Sequence, residues 1–176
     1  LNTPMNPTGK VFGEHELAAI ARLARKYDAY VLCDEVYEHL CYDGHRHLPL
    51  ATFEGMRDRT VTISSTAKTF SMTGWKVGYA IAAPPLSEAI RRAHQFVTFA
   101  TSTPFQHAMA TAIDRSDEYY GSFLSAYEAR RELMLGYLVD AGFGVIAPQG
   151  TYYVMADIRP LGFDDDVEFC RYLPRE

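Results

Sequence analysis

From Glu14 to Lys26 the apolar residues Leu17, Ile20, Ala21 and Ala24 recur every three or four positions with Glu, Arg and Lys between them. This spacing predicts a surface helix laid on a core. Ala29 to Cys33 is instead a short, nearly continuous apolar run ending at the acidic pair Asp34 and Glu35, the pattern of a strand buried on both faces. Thr60 to Ile63 is a second such run, closed by Ser64, Ser65 and Thr66. A third, Val77 to Ala83, halts at Pro84 and Pro85, which cannot continue a central strand. Beyond them Ser87 is placed to cap a helix carrying Ile90, Ala93 and Val97, and a further helix starts near Pro104 with Phe105, Ala108, Met109 and Ala112 on one side.

Tyr119 to Ala141 reads as one long helix, with Phe123, Tyr127, Met134 and Leu138 as its apolar stripe and Gly142 as its stop. Tyr152 to Ile158 reads as a strand, and Asp164 to Asp166 precede a last amphipathic helix. Strands alternating with helices predict an α/β fold with parallel strands. A change of domain is expected within the long helix, and no repeat or low-complexity stretch is present.

Composition narrows the function. The 176 residues are 48% hydrophobic and 22% charged, enough for a core without disulfide staples. Seventeen basic and 22 acidic side chains, spread along the chain, give a net charge of −5 and argue against nucleic-acid or anionic-membrane partners, which need a clustered basic patch. Apolar runs fall short of the roughly 18 residues a membrane span requires. Cys33, Cys41 and Cys170 are odd in number and form no CxxC pair, so the reading is a reducing, cytoplasmic compartment with neither a disulfide framework nor a zinc knuckle. The chain opens on Leu1 and stops after Cys170 to Glu176 without a terminating signal, and it is expected to be an internal piece of a longer polypeptide.

In open α/β sheets ligands bind at the carboxyl ends of parallel strands. Asp34 and Tyr37 follow the first strand, Ser65 and Lys68 the second. A carboxylate, a phenol, a hydroxyl and a lysine on one rim match a cofactor with a cationic ring, a phenolic oxygen, a phosphate and an aldehyde, and pyridoxal phosphate has all four. Only Lys10, Lys26, Lys68 and Lys76 are available. Lys26 lies on the polar helix face, and Lys10 is no Walker lysine because Pro4 stands where the first glycine would be. Lys68, in a small polar loop after a strand, best suits a Schiff-base lysine, which must be reachable yet partly desolvated so that its amine is neutral.

Other clusters read as structural. His45-Arg46-His47 lacks carboxylate or cysteine partners in sequence and reads as a solvated loop rather than a metal site. Asp164-Asp165-Asp166 lacks calcium-loop spacing and suits a helix cap. Tyr119, Tyr120, Tyr127 and Tyr137 suit helix packing at least as well as a ligand box. Tyr152 and Tyr153 fit a core strand and a ligand site equally well.

Four motifs in order carry a resemblance. They are Asn2-Thr3-Pro4-Met5-Asn6-Pro7-Thr8-Gly9-Lys10, Asp34-Glu35-Val36-Tyr37, Ser65-Thr66-Ala67-Lys68 and Thr73-Gly74-Trp75-Lys76-Val77-Gly78. Over nearly its whole length the chain resembles the fold-type I, class I/II aminotransferases that use pyridoxal 5'-phosphate. With Gly150-Thr151-Tyr152-Tyr153 it looks most like the branch holding kynurenine, glutamine and methionine aminotransferases. The resemblance implies the pyridoxal-phosphate-dependent transferase fold, a mostly parallel mixed sheet with helices on both faces. The large cofactor-binding domain would take residues 1–116, and the interdomain helix with part of the small domain residues 117–176.

It further implies that Lys68 forms the Schiff base and moves the proton at the substrate Cα. Asp34 would pair with the ring nitrogen, Asn6 and Tyr37 would hydrogen-bond the phenolic oxygen, and Ser65 would bind the phosphate. Lys76 stands where most of the family carries a phosphate-binding arginine, offering a point charge in place of a fork. The activity implied is ping-pong transfer of an amino group from an aromatic, sulfur-containing or glutamine-like amino acid to a 2-oxo acid, by a homodimer in which Ser102 to Gln106 approach the neighbouring subunit. No metal is implied. The family's upstream phosphate loop, its ring-stacking aromatic and its arginine for the α-carboxylate have no counterpart in residues 1–176. Arg171 and Arg175 are not assigned that last role, and residues 1–176 alone are expected not to transaminate. A C–S β-lyase of the same fold, or an aminotransferase-like sensor domain of a transcription regulator, shares these motifs.

Overall fold

A computed structural model of the chain describes residues 1–175. Helix α1 spans Glu14–Lys26, as its periodicity predicts. Glu14 and Glu16 in the first turn and Arg25 and Lys26 in the last complement the helix dipole. The Glu16 carboxylate also accepts the Gly13 N–H at 3.0 Å, satisfying a donor at the helix entry. Leu17, Ala21 and Ala24 are buried and pack with Cys33, Leu50 and Met56 in the first core cluster.

Three strands form the main sheet in the order β1 (Val31–Asp34), β2 (Thr60–Ser65), β3 (Gly78–Ile81). β1 and β2 are parallel, with Asp34 opposite Ile63. β3 runs antiparallel to β2, with Ser65 opposite Gly78, so the sheet is mixed, as the resemblance implies, although strand–helix alternation alone suggests parallel strands. The reason is the connection. Helix α2 (Thr66–Thr69) and a 3-10 turn at Thr73–Trp75 bring the chain back at the end where β2 stopped instead of crossing the sheet. Within the described residues one face of β1 is covered and the other open. Cys33 is fully buried, whereas Leu32 is 61% exposed and shares its face with Ile63, at 40%.

Helix α3 (Pro84–Val97) starts on Pro84 itself, where a missing N–H costs nothing. Ser87 therefore lies inside the helix, and its hydroxyl donates to the Ala82 carbonyl at 2.9 Å rather than capping. α4 (Thr103–Ile113) and α5 (Asp117–Asp140) follow, and Gly142 ends α5 in the left-handed region. A two-stranded antiparallel sheet pairs β4 (Gly144–Val145) with β5 (Ala156–Asp157). The strand expected over Tyr152–Ile158 is thus reduced to two residues. Asp165 caps α6 (Asp166–Tyr172), accepting the Glu168 N–H at 2.9 Å, as the acidic triplet suggests.

The shortened strand has a physical cause. Residues 149–151 are already engaged elsewhere: Gln149 accepts the Tyr42 N–H, Gly150 donates to Gly9, and Thr151 donates to Leu40. A Cβ on Gly150 would stand 2.6 Å from the Leu40 carbonyl oxygen, so this seam closes only around glycine. Thr151, with φ +68°, then turns the chain away. The Tyr42 hydroxyl locks the seam by donating to the Thr151 carbonyl at 2.6 Å inside the protein. Tyr37, Leu40 and Tyr42 form a second core cluster with Phe123, Leu124 and Tyr127 of α5 and with Tyr153.

Candidate functional site

Asp34 ends β1, Ser65 ends β2 and caps α2 by accepting the Ala67 N–H at 3.2 Å, and Lys68 lies in α2. Because β3 is antiparallel, Lys76 just before it returns to the same edge, two residues from the Ser65–Gly78 pair. The reversal, which strand–helix alternation alone does not suggest, therefore brings the fourth polar residue to the rim. Lys76 takes a left-handed conformation with φ +56°, ending the 3-10 turn. Asn2 pairs with Asp34 as an isolated bridge, and the Asn2 side chain accepts the Asn6 N–H at 2.7 Å, tying Asn6 to the same end of β1.

Lys68 lines a cavity of about 450 Å³. Tyr127, Arg130, Tyr152 and Tyr153 form its other walls, with Ser71 and Thr73 at one side. Asp34, Asn6, Ser65 and Lys76 are outside that lining, so the cavity and the strand rim meet at Lys68. Tyr37 joins them. Its ring packs edge-on against Tyr152 with centroids 5.2 Å apart, and its hydroxyl lies 3.3 Å from that of Tyr153. The Lys68 ammonium sits 5.7 Å from the Tyr152 ring centroid.

The electrostatics differ from the sequence expectation at Lys68. The neighbouring Tyr152 hydroxyl raises its pKa, outweighing the opposing effect of burial, so the amine is held protonated rather than neutral. At Tyr152 burial pushes upward, but hydrogen bonds with Tyr37 and Lys68 carry the phenol below its ordinary value. Tyr37 is pushed strongly upward, first by burial and then by its bonds to Tyr152 and Tyr153, and stays a neutral donor. Among the described residues Asp34, Lys68 and Lys76 take part in no ion pair. The Asp34 carboxylate accepts only the Val36 N–H at 3.2 Å.

An unpaired carboxylate, a neutral phenol, a hydroxyl and two unpaired ammonium groups on one rim are the donor set that pyridoxal phosphate needs, so the residues fit that group. The sequence leaves Tyr152 and Tyr153 open between a ligand site and a core strand, and the structure sets both in the cavity wall. Sequence reasoning passes over Arg130, 5.0 Å from the Tyr127 ring centroid and part of the same wall, whose signal is the Tyr127, Arg130, Met134 spacing on one helix face. His45 and Arg46 are exposed, as the sequence suggests, but the His47 side chain is 7% exposed and its Nε2 lies 2.8 Å from Glu35 Oε2. The carboxylate missing from its sequence neighbourhood comes from the end of β1.

The family model described as aminotransferase class I and II matches residues 1–176. A probable N-succinyldiaminopimelate aminotransferase of Mycobacterium tuberculosis is 47% identical over 176 residues, covering 100% of this chain and 44% of the relative. The methionine aminotransferase of Escherichia coli is 36% identical over 176 residues, covering 100% of this chain and 46% of the relative. The solved structure of N-succinyldiaminopimelate aminotransferase from Mycobacterium tuberculosis superposes with a TM-score of 0.97 at 46% identity, over 100% of this chain and 46% of that one. The chain thus spans less than half the length of the curated relatives it matches.

Proposed function

Because the chain belongs to the class I and II aminotransferases, we propose that it carries the lysine-bearing part of a pyridoxal-phosphate-dependent aminotransferase. The whole protein moves an amino group from an amino acid to a 2-oxo acid in a ping-pong cycle. The observation that carries this reading is the placement of Lys68, free of ion pairs, where an aromatic-walled cavity meets the strand rim of Asp34 and Ser65. Pyridoxal phosphate supplies an aldehyde that takes up the amino group and a ring that accepts the electron pair left at Cα.

The chain's own residues do the rest. With the cofactor bound, Asp34 would hold the proton on the ring nitrogen, Tyr37 and Asn6 would donate to the phenolic oxygen, and Ser65 and Lys76 would hold the phosphate. Lys68 Nζ would hold the aldehyde carbon and move the proton at the substrate Cα. Anchoring requires Nζ, held protonated beside Tyr152, to give up a proton first. Tyr127, Tyr152 and Tyr153 shield the cavity from water and offer flat apolar surface to a side chain. This favours aromatic, sulfur-containing or glutamine-like donors. The division into residues 1–116 and 117–176, a homodimeric assembly and a cytoplasmic location belong to the same proposal. Among the described residues no helix is long and apolar enough to cross a membrane.

The test is a titration of the whole cofactor-loaded protein with single amino acids in the absence of any oxo acid, followed by absorbance. The panel includes N-succinyldiaminopimelate because of the relative at 47% identity. Loss of the cofactor band with stoichiometric pyridoxamine phosphate is the expected result. Ammonia release without pyridoxamine phosphate would replace the proposal with a β-lyase, and binding without chemistry would replace it with a sensor.

A further inference from the structure

We propose that Glu35, Glu38 and His47 form a binding site for a divalent transition-metal ion, beneath the loop that follows β1 and separate from the cofactor rim. One donor atom from each of the three lies within 4.8 Å of the others. Two of the three are deeply buried: the side chain of Glu35 is 1% exposed and that of His47 is 7% exposed. His47 Nε2 stands 2.8 Å from Glu35 Oε2. Ligands about 2.1 Å from one tetrahedral ion stand about 3.4 Å apart, so the pair would open by roughly 0.6 Å to share an ion.

The independent sign of a missing ligand is what the pair leaves undone. Glu35 Oε1 is buried and lacks a hydrogen-bond partner. A buried acceptor without a partner is costly, so a simple ion pair between these residues is an incomplete arrangement. An ion bound across the carboxylate would engage both of its oxygens.

The surroundings suit a cation. Two carboxylates and a neutral imidazole balance a 2+ charge. Glu38 is oriented by donors behind it, with Ser64 Oγ at 2.9 Å and the Tyr79 hydroxyl at 3.5 Å from its Oε1, the supporting contacts that metal-ligating carboxylates carry. A cleft of about 420 Å³, lined by Glu38, His39, His45, Arg46 and His47 among others, opens onto the cluster and admits an ion with its waters. Of these, Arg46 is the opposing charge. The mixed nitrogen and oxygen set selects zinc or a neighbouring first-row ion over calcium or magnesium, which prefer oxygen alone. Bound there, the ion would fasten the 39–49 loop to the end of β1, next to Asp34.

Zinc binding is measured by calorimetry on the whole protein after dialysis against a chelator, comparing the parent with His47→Gln and Glu38→Gln. One zinc per chain is expected in the parent, with affinity lowered at least 100-fold by His47→Gln and at least tenfold by Glu38→Gln. His45→Ala, which removes a cleft residue outside the donor set, should leave the affinity within about twofold. Should His47→Gln fail to fold, Glu38→Gln decides, since that side chain is 27% exposed and keeps its shape. Zinc affinity equal in the parent and Glu38→Gln, or no zinc bound by the parent, would overturn the site. Neither reading depends on turnover, so the result stands apart from the proposed activity.

Discussion

Helices α1 and α5 place their apolar residues very differently. In α1, 13 residues long, Leu17, Ala21 and Ala24 are buried against β1 and the segment 50–56. In α5, 24 residues long, no residue is buried. Its first half rests Phe123, Leu124 and Tyr127 on Tyr37, Leu40 and Tyr42. Its second half leaves Leu133, Met134, Tyr137 and Val139 largely open, and α3 does the same with Phe96 and Val97. Within this chain, which spans 44% of the relative at 47% identity, helical pattern and length do not say which apolar face is covered. The site inherits both regimes: Asp34 and Ser65 ride on a sheet backed by the first core, while Tyr152 and Tyr153 depend on the seam that Tyr42 and α5 hold closed.

If that contrast is right, the largest stability effect comes from the first core. Leu17→Ala, at a fully buried site, should cost about 2–5 kcal/mol in denaturant unfolding of the whole protein, and a loss under about 1 kcal/mol would show that this core is not tight. Tyr42→Phe removes the donor to the Thr151 carbonyl and should cost about 1–2 kcal/mol. An unchanged midpoint would mean that the seam is held without it.

The cysteines sharpen the comparison through pH. Burial pushes Cys33 and Cys41 from 9.0 up to about 11, while Cys170 on α6 is exposed. At pH 8 a thiol reagent should label Cys170 well ahead of the other two, whose rates rise as pH approaches 11. A raised folded value also means that their contribution to stability is complete below pH 9 and declines as pH climbs toward 11. Equal labelling of all three at pH 8 would break the contrast. The smallest effect belongs to α3. Its Glu88 pairs with Arg91 and Arg92 at the surface, and Glu88→Gln should change stability by less than about 0.5 kcal/mol.

Much of this was legible in the sequence because it is local. The bounds of α1 follow from apolar spacing and end charges, and the three strands follow from short apolar runs closed by polar or proline residues. Lys68 was singled out because it follows a strand in a loop of small polar residues. Strand direction was not legible, since an apolar run reads the same parallel or antiparallel and only the return through Thr73–Trp75 decides it. The helix start at Pro84 rather than at Ser87 turns on Ser87 finding a carbonyl acceptor at Ala82. Tyr152–Ile158 alternates imperfectly like a strand but keeps only Ala156–Asp157 of its ladder beside the seam at Gly150. The His47–Glu35 pair joins residues 12 apart through the fold, and the Tyr37–Tyr153 hydroxyl pair joins residues 116 apart, so neither leaves a local mark.

The central claim is that Lys68 is the lysine that holds the cofactor. Borohydride reduction of the cofactor-loaded whole protein, followed by proteolysis and mass spectrometry, fixes the bound group to one side chain. The account predicts a pyridoxyl mass on the peptide containing Ser65-Thr66-Ala67-Lys68 and its loss in Lys68→Ala. Stoichiometric label on Lys76, Lys10 or any other lysine, with Lys68 unmodified, would contradict it.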